Sequence, residues 1–497
     1  MKKHFNILLV LLLTFSLGSC SGKIDSSKNV EITIIHFNDF HSKIKEFRTS
    51  RKDKNKSAGI SRVVALIKQL KKQNKNSIVM MAGDMIQGSP FSTLKKGSVS
   101  FSLFNNVIDY LVVGNHEFDY GLKNLNHLVK SAGFKTITSN VYYKNSNQPL
   151  TKYRQDIINM QGIKVGIFGL TTTTTPETTL PANVVKLRFE DEITTANNMV
   201  KNLKAAKCNV IIALTHLGFD RDKILANKVK GINVIIGGHS HTKVEKGQMV
   251  NNTMVAQARH NGEYLGVVKI TYNTGVKKIV KIQAKLVKVT HDIEKDAVTL
   301  KSVKQIEKVV MSGLDKRVGI SKTDLISTRK AESNIGDLIA DIIKKRSNVD
   351  VALVNSGGIR ANILKGTVKH VHVLKVLPFG NTISVFNMKG KNLLKVFEKS
   401  ATKVGAGAFM QVSRGVKYIV KNNKLVSVKI NGKDIEPNKT YKIATSNFLA
   451  SGGDGYSEFK AVANKVDTGN LISTAVTNYF KMKKIINVVK AGRIKIE

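Results

Sequence analysis

Between residues 113 and 119 the chain reads Val-Gly-Asn-His-Glu-Phe-Asp, and Asn115, His116, Glu117 and Asp119 can each bind a metal or handle a proton. The apolar run Leu111-Val112-Val113 feeds straight into Gly114, the layout of a buried strand ending in a tight loop. A polar turn after a strand would explain this stretch as well as chemistry does, if the stretch stood alone.

The pattern recurs. Apolar runs at 31–37, 77–81, 210–214 and 234–236 lead into Asn38-Asp39-Phe40-His41, Gly83-Asp84, Thr215-His216 and Gly238-His239-Ser240-His241. The strand-end set is therefore Asp39, His41, Asp84, Asn115, His116, His216, His239 and His241: two carboxylates, one amide and five imidazoles. Such groups suit Mn, Zn, Fe or Co. They exceed what a single ion needs, whereas two ions about 3.5–4 Å apart can share a bridging carboxylate and clamp an in-line displacement. A lone His at a strand end is usually structural, but five loops ending this way point to a metal centre.

The elements must bring these residues together. Helical spacing over 57–73, 100–109 and 190–206 alternates with the apolar runs, and a further strand is expected over 163–170. In α/β layers ligand sites form beyond the carboxyl ends of strands, so the polar groups should gather on one edge. Period-two alternation from 265 to 290 predicts antiparallel strands, and the spacing over 292–320 predicts a connecting helix. A second unit opens near 325, with a helix over 333–346 and a strand over 349–354 running into Asn355-Ser356-Gly357-Gly358-Ile359-Arg360. Two later loops carry aromatics beside Gly or Pro: Leu377-Pro378-Phe379-Gly380-Asn381, and Ser446 to Tyr456 with Phe448 and Asp454. Each Phe either fills the local core or offers a ring for stacking.

Asp39-Phe40-His41, Gly83-Asp84, Gly114-Asn115-His116-Glu117, His216 and Gly238-His239-Ser240-His241 resemble the five-block signature of calcineurin-like metallophosphoesterases. Together with Asn355…Arg360 and Asn447-Phe448…Gly452-Gly453-Asp454-Gly455, the chain is similar to the bacterial 5'-nucleotidase and UDP-sugar hydrolase family over about 30–497. The resemblance implies a four-layer α/β/β/α metallophosphoesterase domain joined by a helix to a smaller α/β substrate-binding domain. It divides the chain into a leader at 1–19, a tether at 20–29, domains at 30–291 and 325–497, and a linker helix at 292–324. It also implies two divalent ions (Zn, Mn, Co or Mg), with Asp39, His41 and His241 on the first, Asn115, His216 and His239 on the second, and Asp84 between them. His116, oriented by Asp119, would face the phosphate. Phe379 and Phe448 would sandwich the base, Asn355 would contact it, Asp454 would take the ribose hydroxyls and Arg360 the phosphate or ribose side. The implied reaction is hydrolysis of nucleoside 5'-phosphates by metal-activated hydroxide. UDP-sugar hydrolysis, 2',3'-cyclic phosphodiester cleavage and a non-catalytic nucleotide-binding lipoprotein remain open. The family places an Arg shortly before its Glu-x-Asn-x-Gly block; here Arg329 is displaced from that spot, which leaves its reach undecided. Some members carry an amide where this chain has His241.

Composition narrows the partners. A net charge of +45 suggests nucleic acid, an anionic surface or small anionic substrates. The lysines are scattered and no nucleic-acid motif is present, so attraction of phosphorylated small molecules fits and a specific nucleic-acid partner does not. Lys2, Lys3 and the apolar stretch 7–13 precede Leu17-Gly18-Ser19-Cys20, which looks like a bacterial lipobox. The expectation is a lipid on Cys20, a membrane anchor, and a place in the cell envelope outside the cytoplasm. Cys208, the second of two cysteines, would then have no disulfide partner.

Overall fold

The computed structural model describes residues 28–49, 55–310, 314–463 and 465–497. The expected leader and the expected lipid attachment at Cys20 lie outside the described residues. No described helix is long and apolar enough to cross a membrane.

Two six-stranded sheets form the first half. In one, Asn29–Phe37, Ser77–Met81, Tyr110–Val112 and Lys135–Ile137 run parallel, flanked by the antiparallel strands Tyr264–Asn273 and Lys278–Lys288. In the other, Ile163–Thr171, Val210–His216, Val234–Ile236 and Thr253–Ala256 run parallel. The inner faces meet in an apolar layer that includes Ile34, Met80, Val112, Ile167, Ile212 and Ile236. Parallel strands buried on both faces are typically near-continuous apolar runs, as in Val210–His216 and Val234–Ile236.

Helices cover both outer faces. Ile60–Gln73 buries Ile60, Val63, Val64, Ile67 and Leu70, and its last turn carries Lys71 and Lys72 where the helix dipole favours cations. Glu192–Ala205 starts at Asp191, whose carboxylate caps the Thr194 N–H, and covers the other sheet with Ala196, Met199, Val200 and Leu203. Helix, sheet, sheet and helix thus make the four layers. Because the parallel strands of each sheet point their carboxyl ends the same way, the loops they feed share one edge.

The helix that follows is shorter than its spacing predicts. It spans Ala297–Val310 and packs Val303 and Val310 against the core beneath Ile60–Gln73. Arg317–Ser321 is instead a strand, paired with Gly366–Lys369 and with Ile485–Ile486. Those partners lie far along the chain, so helical spacing alone could not reveal the pairing.

The second half is built on a five-stranded mixed sheet ordered Met410–Val412, Val351–Asn355, Thr440–Ser446, Thr382–Lys389 and Val466–Leu471. Asn334–Ser347 and Ile472–Lys483 pack on one side and Gly390–Ala401 on the other. The strand Val351–Asn355 and the segment after Thr440–Ser446 deliver Asn355, Phe448 and Asp454 toward the first half. Across the junction the Thr93 hydroxyl donates to the Pro378 carbonyl at 2.9 Å.

Candidate metal centre

Each expected ligand sits just past a strand. Asp39 and His41 follow Asn29–Phe37, Asp84 follows Ser77–Met81, Asn115 follows Tyr110–Val112, His216 ends Val210–His216, and His239 and His241 follow Val234–Ile236. Asp39, His41, Asp84, His239 and His241 all have positive φ, from 51° to 76°. A non-glycine residue in the left-handed region costs about 1–2 kcal/mol, and such strain persists where surrounding structure over-determines it. Five strained ligand candidates in one place mark a functional site. Gly83 and Gly114 allow the loops to close: a Cβ on Gly83 would lie 2.5 Å from His216 Nδ1, and one on Gly114 2.3 Å from Asp84 Oδ1.

The geometry divides into overlapping triads: Asp39, His41 and His241; His41, Asp84 and His116; Asp84, His216 and His239. In the first, His241 Nε2 lies 3.2 Å from Asp39 Oδ1 and 3.1 Å from His41 Nε2. In the third, His216 Nε2 lies 3.2 Å from both Asp84 Oδ2 and Asn115 Oδ1, and His239 Nδ1 lies 3.0 Å from that same amide oxygen. The Nδ1 of His216 is committed to the Ala82 carbonyl at 2.8 Å, so Nε2 is the ring nitrogen turned toward Asp84 and Asn115. Carboxylate and amide oxygens thus converge on the ring nitrogens, an arrangement that needs positive charge between them. Asp39 Oδ1 is buried with no hydrogen-bond partner, and its Oδ2 takes the Asn38 amide at 2.7 Å and the His239 N–H at 2.9 Å. A buried carboxylate oxygen aimed at two imidazoles fits a divalent cation.

Electrostatics separates the roles. Burial works against ionisation of Asp84, yet His216 and His116 hold it well below the usual carboxylate range. His116 Nδ1 lies 2.6 Å from Asp119 Oδ2. Burial disfavours its charged form, but Asp119 and then Asp84 raise His116 to about 9. Asp119 is itself fixed by the Thr179 hydroxyl at 2.7 Å, and its backbone carbonyl takes the Asn183 amide at 3.0 Å. His116 Nε2 stands 3.9 Å from Asp84 Oδ2, at the edge of the cluster and facing the cleft.

That cleft is a cavity of about 790 Å³ between the two halves. Asp84, Asn115, His116 and His239 line its floor, and Asn355, Arg360, Phe379, Phe448 and Asp454 line the opposite wall, so every expected substrate residue borders it. The ring of Phe379 stacks on His116 at 5.8 Å, and the Arg360 guanidinium lies 5.6 Å from the centre of the Phe379 ring. Asn355 Nδ2 donates to Asp454 Oδ2 at 2.7 Å. Burial, and then the neighbouring Arg329, lower Arg360 to about 10, so it stays charged at neutral pH. Arg329, displaced in sequence, lines the cavity nonetheless.

Several supporting residues are not evident in the sequence. Glu117 is fully buried and accepts backbone N–H groups from Gly114, Asp84, Met85 and Ile86, at 2.7, 2.9, 2.8 and 3.3 Å. It ties the loop bearing Asn115 to the loop bearing Asp84. Behind His216, the Thr215 hydroxyl donates to the buried Asp222 at 2.7 Å. Gln257 braces the loop of His239 by donating to the Gly238 carbonyl at 2.8 Å. Only Asn38, adjacent to a ligand in sequence, offered a local cue.

Residues 32–243 match the family described as calcineurin-like phosphoesterase, and residues 313–461 match the 5'-nucleotidase C-terminal domain. A snake venom 5'-nucleotidase from Naja atra is 30% identical over 505 residues, covering 89% of this chain and 94% of that protein. The chain belongs to the 5'-nucleotidase family. A structure of a 5'-nucleotidase precursor from Thermus thermophilus superimposes with a TM-score of 0.85 at 29% identity, covering 94% of this chain and 99% of that one. The trifunctional nucleotide phosphoesterase YfkN of Bacillus subtilis is 32% identical over 497 residues, and the chain spans about a third of its length. This family member is a metal-dependent phosphoester hydrolase, and the calcineurin-like half provides its dimetal centre.

Proposed function

We propose that the chain is a 5'-nucleotidase that releases phosphate from nucleoside 5'-monophosphates. The supporting observation is that the metal triads and the Phe379–Phe448 wall border one cavity, contributed by both halves of the chain. Asp39, His41 and His241 would hold one ion, Asn115, His216 and His239 the other, and Asp84 would bridge. When bound, such ions lower the pKa of a water and offset charge on the phosphoryl oxygens.

The chain's own groups do the rest. The His116–Asp119 pair keeps the imidazole protonated through neutral pH, so it can donate to a phosphoryl oxygen as charge builds. Arg360 supplies a second cation from the opposite wall of the same cavity. Phe379 and Phe448 take the base by stacking, at about 1–3 kcal/mol for each base–ring contact. Asp454, oriented by Asn355, accepts from the ribose hydroxyls. Gly357 and Gly358 let backbone approach the substrate. We take 30–291 as one functional domain and, because Arg317–Ser321 pairs with strands of the second half, about 317–497 as the other, with closure between them gating turnover.

We also propose lipid attachment at Cys20 and a site of action in the cell envelope. The net charge of +45 would concentrate phosphorylated substrates there. A panel of AMP, UDP-glucose, 2',3'-cyclic AMP and bis(p-nitrophenyl) phosphate tests the assignment. Phosphate from AMP is the expected result; products from UDP-glucose with none from AMP would overturn it.

A further inference from the structure

A second cavity, of about 390 Å³, opens beside the metal triads on the side of His41 and His241. It meets the nucleotide-sized cleft at His241, Arg329 and Arg360, which line both. Its character differs. No Phe, Tyr, Asp or Glu lines it among the described residues. Lys43, Arg329 and Arg360 do, with the amides of Asn261 and Asn362. None of these three cations has an ion-pair partner among the described residues, whereas other sheltered arginines do: Arg493 pairs with Asp341 at 2.8 Å, and Arg62 with Glu46. Glu263, the acid that attracts Lys43, lies 2.9 Å from Arg259 Nε and 3.6 Å from His260 Nδ1.

Arg360 is repelled by Arg329, and Lys43 by Arg360, while Asp84, Asp119 and Asp39 attract Arg360 without forming an ion pair with it. An arrangement of this kind is stable where an anion completes it. The cavity lacks the aromatic rings a base would need, and its size falls in the roughly 300–1,000 Å³ range of small-molecule sites. Its floor is shared with the first metal triad through His41 and His241.

We propose that this cavity is a phosphate-binding site adjoining the metal centre, with Lys43 as its dedicated cation. It rests on reading the triads as the phosphate-hydrolysing centre. The occupant is a phosphate group from one of two sources: the distal phosphoryl of a substrate with more than one phosphate, or orthophosphate that has just left the metals. In the first case hydrolysis joins the water oxygen to the attacked phosphorus and breaks its bond to the bridging oxygen. That oxygen keeps the electron pair and leaves as a phosphate held by Lys43, with the protons of water passing to solvent.

The test uses the metal-loaded full chain and the variants Lys43→Met and Lys43→Arg, with three readouts: kcat/KM for AMP, kcat/KM for ADP, and inhibition of AMP turnover by inorganic phosphate. Removing one charge-assisted contact should weaken the chosen ligand roughly tenfold or more. A fall in ADP turnover alone identifies the substrate's distal phosphate. A rise in the phosphate inhibition constant alone identifies the product. In both cases AMP turnover stays within about twofold of wild type and Lys43→Arg restores most of the loss. Unchanged ADP turnover and unchanged phosphate inhibition in Lys43→Met would overturn the site, as would an equal loss with AMP. If wild type hydrolyses neither nucleotide, the nucleotidase reading fails on its own. Calorimetric titration with inorganic phosphate then decides the site: weaker binding by Lys43→Met supports it and equal binding overturns it.

Discussion

Replacing Glu117 tests how the metal loops are held. Its carboxylate accepts four backbone N–H groups, two on each oxygen, from Gly114 and Asp84 and from Met85 and Ile86. The side chain is fully buried. In Glu117→Ala these donors lose their acceptor. A stranded buried donor costs about 1–3 kcal/mol, so even if entering water serves half of them the loss is about 2–6 kcal/mol. That is a large part of a typical total stability of about 5–15 kcal/mol. Glu117→Gln keeps the shape but turns an amide donor toward two N–H donors, so it should fall between wild type and Ala. The loops that drift carry Asp84 and Asn115, so metal affinity should fall about 10- to 100-fold, the usual effect of losing an outer partner of a ligand. KM for AMP at saturating metal should stay within about twofold, because Glu117 does not border the cleft. Thermal denaturation and calorimetric titration of Mn into chelator-treated protein read both quantities. A Glu117→Ala chain with wild-type melting and wild-type metal affinity would refute the reasoning.

Other outcomes follow from the same geometry. His116→Gln should lower kcat by about 100- to 1,000-fold with metal content unchanged, measured by steady-state kinetics beside elemental analysis. Phe448→Ala should raise KM for AMP by about 5- to 150-fold, from about 1–3 kcal/mol of lost stacking, with a smaller effect on kcat. Asp337, buried beside Glu332 and Arg493, is pushed up to about 8, first by burial and then by Glu332. The folded state therefore holds a proton that the unfolded chain has already lost, and stability should fall as pH rises from about 4 toward 8. Asp337→Asn should flatten that slope in urea titrations run across the range.

The candidate ligand cluster was legible because each member stands within a few residues of the end of an apolar strand, and parallel strands gather their ends without needing long-range detail. Asp39, Asp84, Asn115 and His216 could be read from local pattern alone. Glu117 reads in sequence only as a structural acid without a catalytic role, and what it braces could not be read, because that lies in four hydrogen bonds across two loops. The strand Arg317–Ser321 was hidden for a related reason, since its partners Gly366–Lys369 and Ile485–Ile486 come from distant segments. Arg329 shows the converse. Its displacement in sequence left its place undecided, yet loop geometry brings it to both cavities. The left-handed backbone at five ligand candidates is likewise invisible in residue type, because Asp and His carry no such preference strong enough to announce it.

The central claim is that hydrolysis depends on a two-ion centre bridged by Asp84. The direct measurement is phosphate release from AMP by chelator-stripped protein, before and after adding back Mn, Zn, Co or Mg, with bound metal counted and Asp84→Ala carried in parallel. The expected result is loss of activity on stripping, recovery as about two ions bind per chain, and little recovery in Asp84→Ala. Full phosphate release from the stripped chain, or from Asp84→Ala, would contradict the account.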